Sequence, residues 1–166
     1  MRSYSARGRL FLLLLMFFFC LFAFVPSRLD LVIKNRKNMV LERIPVKGAE
    51  YFDISFRHSV NKGEIIERYR IDNRTRTFYL ETGWFESYGA GMMDSLAEGV
   101  EMSEEGRYLR LDFPRKDLQE VSYAAAGIAD HLLEIGENKL YLFEKNPYKT
   151  DIIFLEKSSL FERVFE

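Results

Sequence analysis

Residues 10–25 read LFLLLLMFFFCLFAFV, sixteen apolar residues without a charge, and this run limits the possible folds more than any other feature. As a helix rising ~1.5 Å per residue it is roughly 24 Å long. A bilayer core is about 30 Å thick, so the run is a slightly short span whose deficit thinning of the lipid absorbs. A helix lying on a soluble core would show a polar stripe, and this run has none. Pro26 marks its end. Arg2, Arg7 and Arg9 precede it and only Arg28 follows, so the basic flank is expected to stay cytoplasmic and residues 29–166 to lie outside. Ala23 is followed by Phe24, Val25 and Pro26, which is not a small-x-small cleavage pattern. An uncleaved signal-anchor is therefore favoured over a cleaved secretory signal, which would leave a secreted domain. Cys20 follows three phenylalanines, a poor context for lipid attachment. The expected organisation is a cytoplasmic basic segment (1–9), a transmembrane signal-anchor (10–25), a linker (26–38), an extracytoplasmic β domain (39–157) and a C-terminal tail (158–166).

Residues 29–166 hold 20 basic and 25 acidic side chains, which disfavours nucleic acid as a partner because that needs clustered positive charge. The chain's one cysteine lies in the apolar run, so the outer domain has neither a disulfide framework nor a cysteine zinc site. Period-two alternation recurs along this part. Phe52, Ile54 and Phe56 share one face of a strand over 51–57, with Asp53, Ser55 and Arg57 on the other. Ile65, Glu67, Tyr69 and Ile71 share a face of the next, with Arg68 and Arg70 pointing away. A third strand over 75–82 places Phe78, Leu80 and Thr82 together. Residues 83–93 read as a loop, 94–106 as a polar excursion, and 107–113 as a short strand closed by Pro114. Residues 118–135 fit either an amphipathic helix, with Gly127 against it, or two strands. A hairpin turn at Gly136-Glu137-Asn138 and a last strand over 151–155 follow. About eight short strands with turns between them predict an all-β antiparallel sandwich or barrel-like domain.

Phe52 to Val60 ends a strand in His58-Ser59-Val60, and Glu67 and Tyr69 follow at the spacing His-x8-Glu-x-Tyr. Tyr88-Gly89-Ala90-Gly91-Met92 adds an aromatic-Gly-Ala-Gly segment, and Asp130-His131 to Gly136 precedes a final hairpin. In order and spacing these segments resemble the uncharacterised bacterial family called domain of unknown function 1850, over roughly residues 40–145. The resemblance implies a small exported or membrane-anchored β domain. It also implies a place near TRAP-type solute transporters of the TAXI class, beside which such proteins are often encoded. It favours the two-strand reading of 118–135. The absence of a proline near Met92-Met93-Asp94 departs from the family pattern.

The candidate ligand-binding or structural-motif residues are His58, Ser59, Glu67, Tyr69, Tyr88, Gly89, Gly91 and Met92. If strands 51–58 and 64–71 pair, His58 and Glu67 should come within one or two pair positions, where a carboxylate would raise the imidazole pKa. The bland reading, with His58 fixing the hairpin, is favoured. The glycines lack the third glycine and following helix of a dinucleotide loop, though their amides suit an anion. No Gly-x-Ser-x-Gly elbow occurs, and two histidines cannot make a three-histidine zinc site. No catalytic residue, metal or cofactor is assigned. The expected function is a non-enzymatic accessory protein at the membrane, with TRAP-type transporter subunits or a solute-binding protein as partners. The alternative is a small organic-anion-binding module, and a hydrolase ranks last.

Overall fold

A computed structural model of the chain describes residues 6–60, 62–86, 96–124, 129–147 and 149–165. The polypeptide divides into two compact units, one of residues 1–29 with 157–166 and one of residues 30–156.

In the first unit, α1 (Ala6–Phe24) is followed at the chain's other end by α3 (Leu160–Phe165). The Phe24 and Phe161 rings stack at 4.7 Å. The α3 start carries a capping box, in which Glu162 Oε2 accepts from Ser159 N and the Glu162 N–H donates to Ser159 Oγ. Leucines and phenylalanines point outward all around α1, from Leu21 at 45% exposed to Phe11 at 67%. Among the described residues no helix is long and apolar enough to cross a membrane. The described part of α1 is thus shorter than the expected transmembrane signal-anchor asks for. The apolar run ends after sixteen residues, and the first turn of α1 holds Arg7, Gly8 and Arg9.

The second unit is built from strands. A four-stranded sheet has the order β2-β1-β11-β8, with β1 (Arg28–Asn35), β2 (Val40–Pro45), β8 (Glu120–Ala124) and β11 (Thr150–Ser158). A seven-stranded sheet has the order β10-β9-β3-β4-β5-β7-β6. Its members are β3 (Tyr51–Arg57), β4 (Glu64–Asp72), β5 (Thr77–Phe85), β6 (Glu101–Glu105), β7 (Tyr108–Asp112), β9 (Leu132–Ile135) and β10 (Asn138–Tyr141). Each strand pair whose register is described is antiparallel. One helical turn, α2 (Leu142–Lys145), follows β10. The all-β expectation holds.

The expected linker 26–38 is instead largely β1, with Leu31, Val32 and Ile33 fully buried. The β-branched pair Val32-Ile33 suits a strand. Of the polar residues in that expected linker, Lys34 belongs to β1, while Arg36, Lys37 and Asn38 form the turn into β2. Residues 118–135 supply two strands in different sheets, β8 and β9, and the helical spacing of Leu118, Val121 and Leu132 is incidental. Part of the expected excursion 94–106 is edge strand β6, all five residues of which are exposed. The third strand carries a correction in face. A register shift between Arg68 and Tyr69 pairs Tyr69 with Leu80 but Arg68 with Thr82, leaving Glu81 as the extra residue. A bulge reverses the alternation beyond it. Thr82 therefore leaves the face of Phe78 and Leu80, and its hydroxyl donates to Asp112 Oδ1 at 2.7 Å.

The outer face of the large sheet is a ladder of ion pairs and rings. Glu134, Asp53, Arg68, Thr82 and Asp112 lie in one cross-strand row. Arg68 holds Asp53 with two hydrogen bonds, at 2.9 and 2.8 Å, and lies over the Tyr51 ring at 3.8 Å. Arg70 grips Glu81 in the same bidentate way. The inner face carries Phe52, Ile54, Ile65, Ile71, Phe78 and Leu133, all buried.

Candidate functional site

Glu67 occupies a position on β4 that strand geometry turns toward this apolar face, between buried Ile65 and Tyr69. Its cross-strand neighbours are Ile54 on β3 and Gly83 on β5. A Cβ at Gly83 would stand 2.8 Å from a Phe85 ring carbon, so the ring of Phe85 takes the space that a larger residue would need. A carboxyl enclosed in this way needs hydrogen-bond donors. Two tyrosines supply them. The Tyr69 hydroxyl donates to Glu67 Oε2 at 3.0 Å, and the Tyr123 hydroxyl, reaching over from β8 in the other sheet, donates to the same oxygen. The two phenol oxygens are 2.7 Å apart. Burial pushes the Glu67 carboxyl above its ordinary pKa, with the tyrosine bonds acting the other way. Burial, and after it the Glu67 charge, push both phenols far up, so they remain protonated donors.

His131 and Asp151 adjoin this triad through Tyr123. The His131 ring stacks on Phe56 at 4.9 Å and meets the edge of Tyr123 at 5.6 Å. It is 7% exposed, and burial lowers its pKa against the opposing influence of Asp130. Asp151 is fully buried and lies directly opposite Tyr123 in the β8–β11 register. Its Oδ1 accepts from Asn146 Nδ2 at 2.7 Å, and burial pushes the carboxyl up to about 6. His131 Nδ1 and Asp151 Oδ2 have no hydrogen-bond partner among the described residues.

Perturbed titratable groups gathered in one place mark a candidate functional site. Their arrangement here serves cohesion first. One carboxylate oxygen and two phenols from two sheets form a buried polar triangle in which both hydroxyl protons serve the carboxylate, and such a cluster ties the sheets together. Tyr123→Phe removes one donor from a buried carboxyl and should cost about 1–3 kcal/mol in chemical denaturation. The same change in a Glu67→Leu background should cost clearly less, because the acceptor is then gone.

The expected site residues separate. The His58 N–H donates to the Gly63 carbonyl at 2.9 Å, its carbonyl accepts from Lys62 N, and its Nδ1 accepts from Val60 N at 3.4 Å. His58 thus closes the β3–β4 turn. The Ser59 side is exposed, and its carbonyl accepts from Lys62 Nζ. Glu67 pairs with Ile54, four residues before His58, about 13 Å along the strand. The expected proximity of His58 to Glu67 is therefore corrected: the turn is tight, and the register places Glu64 opposite Arg57. Tyr69 does join Glu67. Tyr88, Gly89, Gly91 and Met92 lie outside the described residues. Trp84 sits on the ion-pair face and donates from Nε1 to Glu105 at 3.0 Å. The histidine that does approach the triad, His131, was not a candidate, nor were Tyr123 and Asp151. The available signals were a tyrosine hydroxyl and an aspartate at inward-facing strand positions.

No group of three or more His, Cys, Asp or Glu among the described residues could hold a metal ion. No curated protein and no solved structure matches the chain. The segment from Phe52 through the β3–β4 hairpin, Glu67, Tyr69, Tyr123 and His131 to Leu142 coincides with residues 52–142, which match the model of a family described as Domain of unknown function (DUF1850). That match covers more than half of the chain, and the chain belongs to this family.

Proposed function

We propose that the protein is a non-enzymatic domain held at the extracytoplasmic side of a membrane by α1. The observation that supports it is the outward-facing apolar surface of α1, exposed at every position from Leu10 to Leu21. A helix apolar all around is stable only in apolar surroundings, and lipid supplies them. The run is about 6 Å shorter than the hydrocarbon core, a deficit that thinning and the flanking Arg9 and Arg28 accommodate. Arg7 and Arg9 on one flank against Arg28 on the other favour an outer location for the strands. Two phenols commit Glu67 Oε2 to hydrogen bonds that join the sheets, which supports a structural role for this carboxyl. Association with a TRAP-type transporter rests on the family resemblance alone.

Alkaline carbonate extraction of cells expressing the full chain tests the reading. The intact protein is expected in the membrane pellet, and a variant lacking residues 1–25 in the supernatant. Protease added to intact spheroplasts should cut the strand unit. Release of the intact chain by carbonate would overturn the anchor, and full protection from protease would overturn the outer location.

A further inference from the structure

We propose that the cavity between the β1–β2 turn and the start of β11 binds a small organic anion. The cavity is about 430 Å3, and Asn35, Arg36, Lys37, Met39, Lys149 and Thr150 line it. That volume lies in the range of small-molecule sites. Three lining side chains are cationic and none is acidic. The three other cavities described are lined in part by carboxylates: Glu137 in one, Glu50, Asp53 and Glu134 in another, Glu86 and Glu104 in the third. The contrast extends to pairing. Arg43, Arg68, Arg70, Arg107, Arg110 and Arg115 all have carboxylate partners. Arg36, Lys37 and Lys149 have none among the described residues. An acidic domain thus concentrates unneutralised positive charge in one concave place, and such a focus draws anions.

Both walls are held from behind by buried asparagines. Asn35 Oδ1 accepts from Lys37 N at 2.9 Å and Met39 N at 3.1 Å, which fixes the turn. Asn146, 4% exposed, donates from Nδ2 to the Thr150 carbonyl and to Asp151, and its own carbonyl accepts from Lys149 N. A cavity already in shape loses little on binding. Met39, 59% exposed at the rim, offers an apolar surface that a bare inorganic ion would not use. The fitting ligand therefore has a carboxylate or phosphate joined to a short carbon skeleton. This inference does not depend on how the protein meets a membrane.

The test uses the full chain in neutral detergent micelles, followed by amide NMR. The probes are succinate, phenyl phosphate, glycerol 3-phosphate as a soluble lipid-headgroup fragment, and inorganic phosphate. Succinate or phenyl phosphate is expected to shift the Lys37 and Met39 amides saturably and to bind more tightly than inorganic phosphate. The triple change Arg36→Gln, Lys37→Gln, Lys149→Gln should weaken that binding about tenfold or more. Arg74→Gln with Lys116→Gln, which alters exposed cations elsewhere, should leave it unchanged. Three results would each overturn the proposal: no saturable shift with the organic probes, equal binding by the triple variant, or binding of inorganic phosphate as tight as the organic acids. Tighter binding of glycerol 3-phosphate than of inorganic phosphate would equally support the site and would make a lipid headgroup the source of the anion.

Discussion

Asp151→Asn is expected to stabilise the protein at neutral pH and to leave it nearly unchanged near pH 3.5. Burial raises the Asp151 carboxyl from an ordinary 3.8 to about 6. Between those values the folded chain holds a proton that the unfolded chain has released. Stability therefore falls as pH rises from about 4 to 6 and stays lower above that window. The shift corresponds to roughly 3 kcal/mol at most. Asparagine keeps the shape of the protonated acid, and its Oδ1 still accepts from Asn146. Denaturation curves at a series of pH values should show the two proteins diverging by up to that amount between pH 4 and 6.5. Other groups superimpose their own slopes. Glu67 is raised too and acts in the same direction, whereas Asp72, held at about 2 chiefly by Arg115, stabilises above pH 3.8 and stops doing so as pH falls toward 2. His131, lowered by burial, costs stability as pH falls below 6.5. The difference between wild type and variant removes these common contributions. Parallel curves with no divergence would refute the assignment.

Phe52→Ala is the truncation with the largest expected cost. The ring is fully buried, stacked on Tyr69 at 5.0 Å and edge-on to Phe78 at 5.1 Å, with Tyr69 and Phe78 themselves 5.6 Å apart. Removing a buried phenylalanine costs about 3–5 kcal/mol. That is a large part of the 5–15 kcal/mol typical of a whole domain. The loss would reach the polar triangle as well, because Tyr69 leans on Phe52 while its hydroxyl serves Glu67. Tyr51→Ala, one residue away on the outer face, should cost under about 1.5 kcal/mol. Urea titration of the two variants is the comparison, and similar midpoints would refute the assignment of the core to this face.

The strands were legible wherever one face meets water and the other does not. Residues 51–57 and 64–72 announce themselves by alternation, and Gly136-Glu137 announces the β9–β10 turn, with Gly136 at φ +55°. Segments buried on both sides were harder. Leu31, Val32 and Ile33 are consecutive and all enclosed, so β1 shows no alternation and reads as part of the linker. The bulge at Glu81 was invisible because a reversal of faces leaves each residue type plausible on either side. Half of the candidate site was legible: Glu67 and Tyr69 stand two apart on an inward face. Tyr123 and Asp151 come from strands 54 and 82 or more residues away in sequence from Tyr69, and only the pairing of β8 with β11 brings them together. His58 misled because proximity in a hairpin depends on where the turn falls, and one tight turn moves a partner by several residues.

Strand β6 closes one side of the large sheet with Glu101, Glu104 and Glu105 among its five residues. A free sheet border is a template on which another chain can continue the ladder. A second copy approaching this border brings the same three carboxylates, and mutual repulsion opposes growth of a continuous ribbon. This acidic hem disfavours edge-to-edge contact between copies while leaving the remaining surfaces open to other company.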